Sequence, residues 1–78
     1  MQEKIEDLHD TIRNNIRKLR ESKGLSQLEL ASAMGHSSAA FFAKAEHGCD
    51  HKRFNLEHLC KIAEILNVEI EAFFKKNE

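Results

Sequence analysis

The sequence predicts an all-α fold of five helices and no strand, and three observations predict it. Short apolar patterns at helical spacing follow one another along the chain, separated by glycine and cap residues. There is no proline and there are only three glycines, which leaves little hairpin or sandwich punctuation. A chain of 78 residues with 41% apolar and 32% charged residues matches one soluble globular domain, 1–78, and not a disordered segment. At this size only about 60% of the unfolded surface becomes buried, so the core has to be compact.

The elements follow in order. Ile5, Leu8, Ile12, Ile16 and Leu19 are spaced 3, 4, 4 and 3 apart, which lines them along one stripe of a helix from about Glu3 to Ser22. Gly24 suits the left-handed conformation that ends it, and Leu25 follows as a core contact. Ser26-Gln27-Leu28-Glu29 has the form of a capping box, opening a second helix that runs to about Met34 with Leu30, Ala31 and Met34 inward. Gly35 breaks it. Ser37 or Ser38 can cap a third helix, Ala39 to Glu46, whose apolar contacts are Phe41, Phe42 and Ala45 and which Gly48 closes. Asp50 to Arg53 reads as a polar loop. Asn55 can cap a fourth helix carrying Leu56, Leu59, Cys60, Ala63 and Leu66, with Asn67 as its left-handed stop. A last short helix from Glu69 to about Lys75 presents Ile70, Phe73 and Phe74.

Composition also excludes. No apolar run approaches the roughly 20 residues of a membrane helix, and the N-terminus lacks a signal-peptide core, so a cytoplasmic location without membrane contact is expected. Two cysteines are too few for a disulfide scaffold. The net charge of −1 argues against a nucleic-acid partner until its distribution is read. Arg13, Arg17, Lys18, Arg20 and Lys23 oppose only Glu21, Lys44, Lys52 and Arg53 sit mid-chain, and Glu57, Glu64, Glu69, Glu71 and Glu78 load the C-terminal part with acid.

Two short helices joined by a glycine turn, at about 27–46, have the layout of a helix-turn-helix. The ordered set Ile16, Leu19, Arg20, Gly24-Leu25-Ser26-Gln27, Glu29-Leu30-Ala31, Gly35, Phe41-Phe42, Glu46, Gly48, Leu59, Ile62-Ala63, Leu66 and Val68 resembles the lambda repressor and Cro-type (XRE-type) helix-turn-helix family. The likeness spans about Ile12 to Phe74. It implies a repressor-like DNA-binding fold with an unusually extended first helix, a small residue at Ala31 where helices two and three cross, positive φ at Gly35, and a largely buried Arg20–Glu46 ion pair. One residue more than the family usually has lies between Gly35 and Glu46; aligned backward from Glu46, it falls in the turn near His36-Ser37.

The resemblance also implies the DNA contacts. The groove-facing positions are Ser37, Ser38, Ala39, Ala40, Ala43 and Lys44, a lean reader in which the alanines offer only apolar contact to thymine methyls and Lys44 is the strong donor. Gln27 stands where its side chain and the amides of helix two can grip a phosphate, and Arg13, Arg17, Lys52 and Arg53 are candidates for flanking backbone contacts. Weak readout in one copy favours a homodimer on double-stranded DNA, with Val68, Ile70, Phe73 and Phe74 as its interface. Adjacent phenylalanines cannot both face one core, and the alternative has both folded onto helix one. Ile5 and Leu8 extend helix one by about two turns beyond the family's usual start.

Other signals are weaker. His47, Cys49, His51, His58 and Cys60 contain zinc-binding donor types, but their spacing is not that of a structural pair, and residues two apart on a helix diverge by about 200°. Cys60 reads more simply as a buried apolar residue. No metal or cofactor and no catalysis are expected, since the chain has no phosphate loop or nucleophile elbow. The expected function is a bacterial or phage transcription regulator without an effector domain; the alternative is an antitoxin-like interaction module that meets a protein partner such as a toxin or polymerase.

Overall fold

The apolar stripe of the first helix organises the architecture, because every later element packs on it directly or through a neighbour. The computed structural model describes residues 2–76; Glu78, part of the C-terminal acid load, lies outside the described residues. α1 spans Gln2–Ser22. Its stripe divides: Ile12 and Ile16 are buried and Leu19 packs partly against the core, whereas Ile5 and Leu8 stand exposed beyond it. Gly24 takes the left-handed conformation at φ 72°, and Leu25 follows as a partly buried core contact.

α2 covers Gln27–Ala33 and starts with the capping box, in which the Glu29 amide donates to Ser26 Oγ at 3.0 Å and the Ser26 amide to Glu29 Oε1 at 2.8 Å. These bonds hold the Glu29 carboxyl below the ordinary range. Met34 is the buried C-cap and not a helical residue. α3, Ala40–His47, starts one residue later than the sequence suggests; its N-cap, Ala39, supplies no side-chain bond, and Ser38 offers only a long 3.4 Å contact to the Ala40 amide. Phe42, Ala45 and Glu46 form its buried face, and Gly48 closes it at φ 75°. The loop after α3 contains a 3-10 turn at Cys49–His51 that sequence patterning does not reveal and that overlaps the expected Asp50 to Arg53 loop.

α4, Leu56–Leu66, is capped by Asn55 and stopped by Asn67 at φ 58°. Leu59, Ile62, Ala63 and Leu66 are buried, so Leu56 and Cys60 are corrected to exposed positions. The core stripe is already complete at helical spacing, and Cys60 points about 100° away from Leu59.

The last segment is a 3-10 turn, Ile70–Phe74, and not the fifth α-helix expected; the described residues hold four α-helices, two 3-10 turns and no strand. The reason lies in its length, since a segment of five residues is too short to nucleate an α-helix well and 3-10 bonding suits such short pieces. The Ala72 amide donates to the Glu69 carbonyl at 2.9 Å, three residues back, while buried Asn15 on α1 donates to the carbonyls of Phe73 at 2.9 Å and Lys75 at 2.7 Å. Those bonds tie α1 to carbonyls that a helix end here would in any case leave without a partner. Phe73 completes that core with Ile16, Leu30, Phe42, Ile62 and Leu66. No helix among the described residues is long and apolar enough to cross a membrane.

The cap of α4 carries a pH dependence. The His58 amide donates to Asn55 Oδ1 at 2.8 Å, and the Asn55 amide donates to His58 Nδ1 at 3.0 Å, which requires a free lone pair on that nitrogen. Burial, and then the nearby His36, lowers the His58 pKa, and burial likewise lowers that of His9. The unfolded chain therefore binds more protons, so this stability is present above the ordinary histidine pKa of about 6.5 and is lost as pH falls below it. Thermal melts between about pH 8 and 5.5 should show it. His58→Gln retains a capping-box side chain without the titration, and its melting temperature is expected to fall less steeply than that of the wild type.

Candidate nucleic-acid interface

The turn between α2 and α3 is built around Gly35, at φ 93°, with the His36 amide donating to the Ala31 carbonyl at 3.0 Å. Ala31 is fully buried where the two helices meet. His36, which follows Gly35 in the turn, has a structural use. The His36 ring stacks on Phe41 at 5.6 Å, and Phe41 also meets His58 at 5.0 Å and Phe54 at 6.4 Å. This aromatic group joins the turn, α3, the following loop and α4. Its members are scattered in sequence, so no spacing announces it.

Beneath α3, Glu46 is fully buried. Arg20 grips it in a bidentate fork, Nε to Oε2 at 2.9 Å and Nη2 to Oε1 at 3.0 Å, and Arg20 Nη1 donates to the Leu25 carbonyl at 2.8 Å. The bonds to Glu46 raise the Arg20 pKa. Gln27 Nε2 donates to Glu46 Oε1 at 2.8 Å. One N–H of the amide that the sequence assigns to a phosphate is thus used internally, and Gln27 ties α2 to α3.

The outward face of α3 carries exposed Ala40 and Lys44 with half-buried Ala43; Ser37 and Ser38 are exposed and Ala39 half-buried in the approach to the helix. Lys44 Nζ lies 3.2 Å from Asp50 Oδ2. Asp50 at φ 53° and His51 at φ 57° are consecutive left-handed residues, a conformation costing about 1–3 kcal/mol each outside glycine, although Asp and His are among the residues that tolerate it best. An exposed ion pair returns about 0–1 kcal/mol. An acid beside the C-terminus of a helix also opposes its dipole.

The flanking cations divide into two groups. Arg13 pairs with Asp10, its side chain is only 11% exposed, and its guanidinium lies where a Cβ on Gly48 would meet it at 3.0 Å. Burial, and then the charge of Arg53, lowers its pKa. Arg53 pairs with Glu6 and anchors the α1 extension. Both of these candidates for flanking backbone contacts thus also brace the loop after α3. Arg17 is half-buried and donates to Asn14 Oδ1 at 3.0 Å, with its Nε buried and unpartnered; Lys52 is exposed.

At the C-terminal end the paired phenylalanines separate: Phe73 is 0% exposed and Phe74 40%. Phe73 belongs to its own chain's core and is unavailable to a partner, while Phe74 remains at the surface and Val68 and Ile70 are half-buried. No three His, Cys, Asp or Glu side chains among the described residues stand close enough to hold a metal ion.

The profile of the helix-turn-helix family matches residues 16–73, well over half of the chain. No curated protein and no solved structure matches the chain significantly. With α2, the glycine turn and α3 held by the Arg20–Glu46–Gln27 node, the chain belongs to the helix-turn-helix family of the lambda repressor and Cro type, a family of DNA-binding regulators.

Proposed function

We propose that the chain is a sequence-specific transcription regulator that inserts α3 into the major groove of operator DNA and acts as a homodimer in the cytoplasm of a bacterium, encoded there or by a phage. The observation that carries this reading is the division of α3, with Phe42, Ala45 and Glu46 locked into the fold while Ala40, Ala43 and Lys44 face outward. A rigid outward helix with small side chains can lie close to base edges, where alanine methyls meet thymine methyls and the Lys44 ammonium meets guanine O6 and N7. Regulation is by occupancy, with no catalytic step.

Phe74, Val68 and Ile70 are the surface residues through which two copies pair. A dimer presents two α3 helices to half-sites about 34–36 Å apart, which doubles a short contact list. Selection from a randomised duplex pool is expected to enrich a palindrome of that spacing. Lys44→Ala is expected to relax the preference at one base pair by about 1–3 kcal/mol, measured by competition between the selected site and its single-base variants. Unchanged binding by Lys44→Ala removes that residue from the interface.

A second reading, an antitoxin-like module that meets a toxin or polymerase, draws on exposed Leu28 and Leu56, which the core does not use. Salt separates the two. Phosphate contacts release counterions and weaken steeply between about 50 and 200 mM salt, whereas an apolar protein contact does not.

A further inference from the structure

Lys44, the outward cation of α3, is not free. Its ammonium is held 3.2 Å from the Asp50 carboxylate, and the chain reaches that arrangement through left-handed backbone at both Asp50 and His51, closed by a Lys52 amide bond to the Cys49 carbonyl at 2.9 Å. Stability does not account for the placement. The acid lies beside the C-terminal end of a helix, where the dipole disfavours it, the backbone is strained, and an ion pair this exposed returns little. The loop is nonetheless braced from behind, by Gly48 against the Arg13 guanidinium and by Arg53 paired to Glu6 on α1.

We infer that Asp50 is a specificity-determining residue, which holds the Lys44 ammonium in an internal ion pair and so suppresses binding to DNA of the wrong sequence. This rests on the reading of α3 as the DNA-facing helix. Sequence-independent affinity comes from cations that meet phosphates and release counterions. A lysine already neutralised by an aspartate releases none. At the matching site the ammonium, which carries three donors, keeps Asp50 and gives a further N–H to neutral acceptors on a base edge, a bond that does not draw on the net charge Asp50 cancels. The pair therefore lowers affinity for random duplex more than affinity for the operator. In this way a domain with few base contacts gains discrimination by weakening its non-specific binding.

Asp50→Asn isolates the charge, because asparagine accepts the left-handed conformation as readily as aspartate. The probes are a mixed-sequence duplex two helical turns long and the duplex enriched by selection, each titrated between about 50 and 200 mM salt. Asp50→Asn is expected to bind the mixed duplex about 3–10-fold more tightly, with a salt slope steeper by about one. Its preference for the selected duplex is expected to fall by a similar factor. In a Lys44→Met background the same substitution is expected to change neither. If wild type binds DNA and Asp50→Asn binds with the same affinity, slope and preference, the role of Asp50 is overturned while the DNA reading stands. A gain that persists without Lys44 also overturns it, since the effect is then one of net charge. If neither protein binds either duplex at the lowest salt, the DNA reading itself fails and takes this inference with it.

Discussion

Glu46→Ala is expected to destabilise the fold by about 3–5 kcal/mol, the loss that follows when one partner of a buried ion pair is removed and the other remains. Glu46 is fully buried, and its carboxylate accepts from Arg20 twice and from Gln27 once. Deleting it leaves the Arg20 guanidinium in the interior with only the Leu25 carbonyl at 2.8 Å and a distant Glu21 oxygen at 3.9 Å. Set against the roughly 5–15 kcal/mol that holds a native domain, this loss leaves a marginal protein. The double variant Arg20→Met with Glu46→Leu is expected to recover most of the loss, because packed apolar groups need no partner. Recovery stops short of complete, since the Leu25 carbonyl loses its donor, which costs about 1–3 kcal/mol. Urea melts of the two single variants and the double variant give the coupling directly. Additive losses would show that the pair does not act as a unit.

The second large effect separates two neighbours. Phe73→Ala is expected to cost about 3–5 kcal/mol through the cavity it leaves among Ile16, Leu30, Phe42, Ile62 and Leu66. Phe74→Ser, one residue on, is expected to stay within about 1 kcal/mol of wild type in monomer stability, because its ring is 40% exposed. Sedimentation of Phe74→Ser then reads the dimer without the complication of unfolding. A fall in apparent mass with an unchanged melting curve at low concentration supports pairing through this surface; identical mass before and after the substitution removes Phe74 from it.

What the sequence disclosed and what it hid have a physical pattern. Features fixed by neighbours in the chain were legible: the Ser26–Glu29 capping box, the left-handed stops at Gly24, Gly48 and Asn67, and the buried stripe at Ile12 and Ile16. The Arg20–Glu46 pair became legible through family resemblance, which transmits contacts between residues far apart in the chain. Features decided by partners particular to this chain were not legible. The bond from Gln27 to Glu46, nineteen residues on, is announced by no local pattern. Arg13 and Arg53 read as surface cations until α1 supplies Asp10 and Glu6. The terminal segment reads as a helix, and its tie to Asn15 on α1 is seen only in the fold. Cys60 was misread because a helix stripe has edges, and one residue places a side chain on either side of them.

The node at Glu46 joins three elements through one carboxylate: α1 by Arg20, α2 by Gln27 and α3 by its own backbone. A reading helix anchored in this way has its orientation set before any partner arrives. Little entropy is then surrendered by the protein on docking, and little freedom remains for it to adjust. On the proposed reading, accommodation would fall to the duplex, which would bend or narrow its groove to meet a fixed template. Target preference would then extend to base steps that no side chain touches, through the ease with which those steps deform.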